Sequence, residues 1–247
     1  MNHSAPLAAT FSIAARDAGT GMLGVAVASK VLAVGASCPF VRAGVGAISS
    51  QAYLNPALGV HGLELLSQGL DAEETLATIL ADDDGREWRQ LNIVDSLGRS
   101  AAFGGQRTDP WSEVRTGPEY ALGGNLLVGP QTVAAMEKSF LHDVSAPFGE
   151  RLMRVLEAAD AAGGDMRGKQ SAALYVVYRQ PVPYINLRVD DHPEPIRELR
   201  RLLDMARDTG LLEFTYRVAD TLTPRPAEEN VERQRALRRQ FDIPNPE

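Results

Sequence analysis

Apolar and polar positions sort this chain into strands, then helices, then strands, helices and strands again. Thr10-Phe-Ser-Ile-Ala-Ala-Arg-Asp17 reads as a first strand, and Asp17-Ala-Gly-Thr-Gly21 is a turn cluster. Met22 to Lys30 returns apolar and rich in small residues, so the two runs predict a hairpin. Leu32 to Gln51 is almost uncharged, with Arg42 its single ionised side chain. Pro39 and glycines 35, 44 and 46 break that stretch into short pieces, the pattern of buried strands packed closely against another layer.

From Asn55-Pro56 the period becomes helical. Leu58, Leu63, Leu65 and Leu66 precede Gln68-Gly69, which suits a helix C-terminus, and Asp71-Ala-Glu-Glu74 suits the cap of a second helix running to Leu80. Arg89 to Asp95 and Arg99 to Phe103 flank Ser96-Leu97-Gly98 as a second hairpin, with Asp95 as turn former. Gly104 to Gly124 reads as irregular. Helices are expected from Pro130, with Val133 and Met136 on one face, and from Phe148 to Ala162. Ser171 to Tyr178 and Tyr184 to Val189 form a third strand pair. Beyond His192-Pro193 charge rises. Glu194 to Thr209 predicts an amphipathic helix with Ile196, Leu199, Leu202, Leu203 and Met205 inward, and Glu228 to Gln240 a charged exposed one. Two sheets of hairpin-linked strands, each covered by helices, imply an α+β fold, a four-layer αββα sandwich with a helical C-terminal extension. The expected divisions are a leader over 1–9, the sandwich over 10–193 and the charged extension over 194–247.

Composition narrows the chemistry. The 247 residues are 44% hydrophobic and 23% charged, enough for a sizeable core. A net charge of -7 argues against a nucleic-acid surface, which needs a basic face. Cys38 is the one cysteine, excluding intramolecular disulfides and cysteine-based zinc sites, and four scattered histidines supply few metal ligands. Asp190-Asp191-His192 does not converge on a metal without a bend, since adjacent strand residues face opposite ways. Ser37-Cys38 lies in no nucleophile-elbow pattern, and there is no phosphate-cradling loop. Neither metal nor organic cofactor is called for. No apolar run approaches transmembrane length and Met1 to Ala9 lacks the regions of a secretory signal, so no membrane partner and a cytoplasmic location are expected.

Thr10 carries the sharpest chemical candidate. A threonine that heads a chain holds nucleophile and base together, because its hydroxyl attacks a carbonyl while its own α-amine accepts the proton. Its bland alternative is a favoured strand residue. Lys30, at the end of the second strand, would keep such an amine neutral, or it is a solvated strand-end lysine. An ordinary α-amine titrates at roughly 7.7 to 8.0, within reach of base duty at neutral pH. Gln51, Asn55 and Asn125 sit beside glycine- or serine-rich turns, where their N–H groups would bind an oxyanion or a substrate amide, or serve as turn residues.

Several long segments resemble the bacterial domain-of-unknown-function family 1028. They are Thr10 to Asp17, Leu23-Gly-Val-Ala-Val-Ala-Ser29, Ala43-Gly-Val-Gly-Ala-Ile-Ser-Ser-Gln-Ala-Tyr53, Arg89-Gln-Leu91, Gly123-Gly-Asn-Leu-Leu-Val-Gly129, Gly163-Gly-Asp-Met-Arg-Gly-Lys-Gln-Ser-Ala-Ala-Leu174 and Leu187-Arg-Val-Asp-Asp-His-Pro193. The resemblance runs in order from about Thr10 to Leu203. It implies a fold like the N-terminal-nucleophile (Ntn) hydrolases, similar to proteasome β subunits, with Thr10 in the nucleophile position. It also implies that Asp165, Arg167 and Ser171 are the acidic and hydroxylic support of that threonine; a surface Asp–Arg pair is the alternative for the first two. Family members often begin Met-Thr, whereas nine residues precede Thr10 here. Those nine are cut away after Ala9, reflect an upstream start, or block the amine.

The expected activity is therefore hydrolysis of a small amide or peptide-like bond through an acyl-enzyme on Thr10, in a homo-oligomer. The rival is a non-catalytic binding or assembly protein that keeps the fold with Thr10 capped.

Overall fold

The computed structural model describes residues 10–108 and 110–212, together with Glu228, Glu232, Arg235, Ala236, Arg239 and Gln240. The expected leader, the 213–227 segment and most of the charged helix over Glu228 to Gln240 lie outside the described residues.

Among the described residues, ten strands and five α-helices make two antiparallel sheets with helices against them. The six-stranded sheet has the order β10-β9-β2-β1-β8-β7 and the four-stranded sheet β3-β4-β5-β6. In the first, β1 is Thr10–Arg16, β2 Leu23–Ser29, β7 Glu113–Gly117, β8 Tyr120–Asn125, β9 Ser171–Val177 and β10 Pro183–Val189. In the second, β3 is Pro39–Arg42, β4 Gly46–Ala52, β5 Arg89–Asp95 and β6 Ser100–Gly104. Helices α1 (Pro56–Ser67) and α2 (Ala72–Ala81) pack on β4, β5 and β6. Helices α3 (Pro130–His142), α4 (Phe148–Ala161) and α5 (Pro195–Asp208) pack on the six-stranded sheet. The sheets meet through β1, β2 and β8 on one side and β3, β4 and β5 on the other.

Strand alternation explains this packing. Phe11, Ile13 and Ala15 enter an apolar cluster with Met136 and Phe140 of α3 and Leu152 and Leu156 of α4, while Ala14 meets Ala47 and Val94 of the other sheet. In β5, Leu91 and Ile93 join Leu63, Leu66 and Ile79 of α1 and α2. Each large side chain so buried is worth roughly 1.5–3 kcal/mol. With both faces covered, every residue of β2 and of β4 is buried, which is why these strands read as nearly uncharged runs. Helix starts follow the expected chemistry. Asn55 caps α1 by accepting from Ala57 N–H at 3.2 Å, and Asp71 and Glu74 complete a capping box on α2.

Two expectations need revision. Gly104 to Gly124 contains strands β7 and β8, joined at Pro118-Glu119. The Tyr-Ala-Leu-Gly-Gly-Asn of β8 lacks β-branched residues, and tertiary proximity dictates its glycines: a Cβ at Gly123 would stand 2.8 Å from Glu113 O, and one at Gly124 2.8 Å from a Leu127 methyl. In α5, Ile196, Leu199 and Leu203 are buried with Ala206, but Met205 is 48% exposed. Arg200 ties α5 to α4 through Glu150 and Glu157, so this helix is part of the core face.

Candidate active site

Register puts four polar residues in one line. Thr10 opposes Ser29 on β2 and Asn125 on β8, and Ser29 opposes Ser171 on β9. Directly opposed residues share a face, and the face is fixed by Ser12, two positions along β1, whose hydroxyl contacts Ser49 and Gln51 of the other sheet at 2.6 Å each. Ser171, Ser29, Thr10 and Asn125 thus form a row across four adjacent strands at one end of the inter-sheet space. All four are at most 1% exposed.

Within the row, Thr10 Oγ1 lies 3.1 Å from Ser29 Oγ. Ser171 Oγ donates to Val31 O at 2.6 Å and accepts from Val34 N–H at 3.1 Å, holding the chain just beyond β2. Amides face the row from the opposite sheet. Gln90 Oε1 accepts from Gln51 Nε2 and from Asn125 Nδ2, the latter at 3.1 Å, and Gln90 Nε2 donates to Gly124 O at 2.9 Å. Asn92 Nδ2 reaches Ser12 and Ser49, both at 3.1 Å. Cys38 borders this seam, 4.0 Å from Gln51 Oε1, and burial pushes its thiol up to about 12.

Asp165 sits beyond the sheet end. Its Oδ2 accepts from the Lys30 backbone N–H at 3.1 Å and from the Arg167 guanidinium at 3.0 Å, while Oδ1 accepts from Arg167 N–H at 2.8 Å. Leu127 bridges to Asp165 and Met166 N–H donates to Leu126 O, so this turn is stitched to the chain leaving Asn125. Lys30 is exposed and its Nζ donates to Lys169 O at 3.3 Å. Asn55 stands apart as the α1 cap. The structure therefore assembles Thr10, Ser171, Asn125 and Gln51 in one seam and anchors Asp165 and Arg167 next to it, while the side chains of Lys30 and Asn55 have other partners. Ser12, Ser29, Ser49, Gln90 and Asn92 were missed from the sequence. Ser12, Ser49, Gln90 and Asn92 each lie two positions from another polar residue in a largely apolar strand, a signal taken as a pair, whereas Ser29 is the single polar residue of β2 and has no such signal.

Past the row, the flanking segments expose Leu32, Tyr53, Trp111, Val128 and Met166. A cavity of about 500 Å³ lies at the far end of β1, lined among others by Arg16, Asp17, Glu119 and Arg151, and Thr10 is not in its wall. Among the described residues no cluster of His, Cys, Asp and Glu has metal-binding geometry. No helix among them is long and apolar enough to cross a membrane.

The model of the family of unknown function DUF1028 matches residues 10–199, from the candidate nucleophile into α5. The chain belongs to that family. A Silicibacter pomeroyi protein of DUF1028, known from its crystal structure, is 33% identical, with a TM-score of 0.75 over 80% of this chain and 89% of that one. Far weaker likenesses link the DUF1028 chain to Anbu, the ancestral beta-subunit. The Gly-1 mutant from Hyphomicrobium sp. strain MC1 gives a TM-score of 0.37 at 13% identity, covering 83% of this chain and 98% of that one. Anbu from Yersinia bercovieri gives 0.35 at 13% identity, covering 84% and 97%. Likenesses this distant fix nothing about the DUF1028 chain. No curated protein matches it.

Proposed function

We propose that the protein is an Ntn-type amidohydrolase or peptidase in which Thr10, freed at its amine, attacks a small amide or peptide-like bond. The observation that carries the reading is the Thr10 Oγ1 to Ser29 Oγ contact of 3.1 Å inside a row of hydroxyls and an amide. Helices against both outer sheet faces support reading the fold as a four-layer αββα sandwich, with Thr10 leading an inner strand. In the mechanism, Thr10 Oγ attacks the carbonyl carbon while the α-amine takes the hydroxyl proton, directly or through Ser29. The tetrahedral intermediate expels the leaving amine, which receives that proton, and water then hydrolyses the threonyl ester. Gln51 spends its NH₂ on Gln90, so oxyanion stabilisation falls to backbone N–H groups. Asp165 holds the Lys30 backbone and Arg167 in place through hydrogen bonds from the Lys30 N–H and from the backbone N–H and guanidinium of Arg167. The apolar fringe of Leu32, Tyr53, Trp111, Val128 and Met166 suits a substrate with an apolar portion.

Catalysis needs a free α-amine, so the Ala9–Thr10 bond must be cut, and Thr10, 1% exposed, must be uncovered. That burial, with Lys30 bonded to Lys169 O, favours the second reading, a non-catalytic binding or assembly protein with Thr10 capped. Intact mass separates them. A chain starting at Thr10, and loss of all turnover on an amide panel in Thr10→Ala, are expected for the enzyme; an uncut chain, or full activity in Thr10→Ala, refutes it.

A further inference from the structure

We infer that the seam binds an amide N–H through Asn125 Oδ1, and that Gln90 is the positioning residue that directs this oxygen. The inference deepens the proposed function, and it rests on that function only for the chemistry after binding. Peptide carbonyls accept hydrogen bonds and never donate, so they fix the polarity of neighbouring side-chain amides. Gln90 has one end at 2.9 Å from Gly124 O and 3.3 Å from Glu113 O. That end is therefore NH₂, and the other end is oxygen. Facing this oxygen are amide atoms of Gln51 and Asn125, each of which must turn its own NH₂ toward it. Two more carbonyls agree: Gln51 Nε2 is 3.4 Å from Gly123 O, and Asn125 Nδ2 is 3.5 Å from Thr10 O.

Four carbonyls thus orient three amides, and one atom remains over. Asn125 is 0% exposed and its Oδ1 has no hydrogen-bond partner. A buried acceptor left in that condition is unfavourable until a donor reaches it. Asn125 opposes Thr10 on the same sheet face, so this unused capacity lies beside the candidate nucleophile. An oxyanion or an ester oxygen would meet Oδ1 as a like dipole, whereas the N–H of a primary or secondary amide complements it. The substrate class is narrowed accordingly: amides bearing an N–H, against esters and fully substituted amides.

The test uses the ¹⁵N-labelled full chain and three small probes: propionamide, N,N-dimethylpropionamide and methyl propionate. Each is titrated while the Asn125 side-chain NH₂ resonance is followed by NMR. Propionamide is expected to shift that resonance and to bind about fivefold or more tightly than the two probes lacking N–H, the discrimination one hydrogen bond confers. In Asn125→Ala that ratio falls to about one, read from resonances of neighbouring residues. In Gln90→Ala the ratio also falls while methyl propionate binding stays unchanged, an outcome that simple loss of structure would not give. Equal binding of all three probes to the wild-type chain, or preference for the ester, overturns the inference. Because the readout is probe binding and not turnover, a failed proposal for catalysis leaves this result readable.

Discussion

Replacing Gln90 by leucine removes an amide of similar volume from the middle of the inter-sheet seam, and the hydrogen bonds set the cost. Gln90 serves Gln51, Asn125, Gly124 O and Glu113 O. Two of these keep weaker partners, since Gln51 Nε2 retains Gly123 O at 3.4 Å and Asn125 Nδ2 retains Thr10 O at 3.5 Å. Glu113 is half-buried, so its carbonyl has solvent near, whereas Gly124 O loses its side-chain donor in a fully buried strand. One or two groups are therefore left seriously short, at about 1–3 kcal/mol each. Leucine recovers part of this by apolar burial, leaving a net loss of about 3 kcal/mol. For a chain of this size that lowers Tm by roughly 6–12 °C. Urea unfolding at neutral pH, followed by far-UV circular dichroism, should show a lower midpoint with an unchanged slope. A loss below about 1 kcal/mol with the slope kept would mean that the amides do not hold the sheets together as argued, and the polarity assigned to Asn125 would fall with them.

Two further outcomes come from particular contacts. Gly59→Ala in the first turn of α1 should destabilise by about 1–3 kcal/mol, although alanine ordinarily improves a helix, because a Cβ there would overlap the Phe40 ring. Phe40→Ala added to it should restore part of the loss, and simple additivity in denaturant titrations would count against the overlap. The Arg89 guanidinium hydrogen-bonded to Asp83 holds that carboxyl below its ordinary range. A depressed folded value means stabilisation that is complete above about pH 4 and is lost as pH falls through the folded value. Asp83→Asn should therefore cost about 1–3 kcal/mol at pH 7, with the gap to wild type closing at lower pH; a gap constant with pH would rule the pair out as its origin.

Much of the fold was legible because the elements that dominate it carry local signals. The β1–β2 hairpin has its turn cluster, α1 and α2 have caps written as Asn55-Pro56 and Asp71-Ala-Glu-Glu74, and Glu194 to Thr209 has a helical apolar stripe. β8 escaped because its glycines answer to Glu113, Val114 and Leu127, residues in a neighbouring strand and the following turn, and nothing local announces such contacts. The site divides in the same way. Asp165 and Ser171 follow from long segments resembling a known family, which also set Thr10 in the nucleophile position, whereas Asn125 is read from its glycine-rich turn and Lys30 from its place at a strand end, and a strand end says nothing of which way an exposed side chain turns. Ser29 and Gln90 were invisible singly, since each matters through the residue opposite it across a sheet or between sheets.

The seam also explains why one alternation specifies both packing and site. Elsewhere the sheets meet through small apolar groups such as Ala14, Ala47, Ala121 and Val94, which need no partners. At the Thr10 end the same face carries hydroxyls and amides, and Asn92 Oδ1 and Asn125 Oδ1 are left unpaired, so this end is less stable than an apolar one of equal volume. Slipping β1 by one residue would drive Phe11 and Ile13 into the seam and turn Thr10 and Ser12 into the helix-side core, breaking the side-chain bonds of Thr10 to Ser29 and of Ser12 to Ser49, Gln51 and Asn92. The polar row thus penalises the wrong register more heavily than an apolar row would, while the correct register is the one arrangement that sets Thr10 between Ser29 and Asn125. Strand pairing and the candidate chemistry are consequently selected together, and a substitution that relaxes the first should be felt in the second.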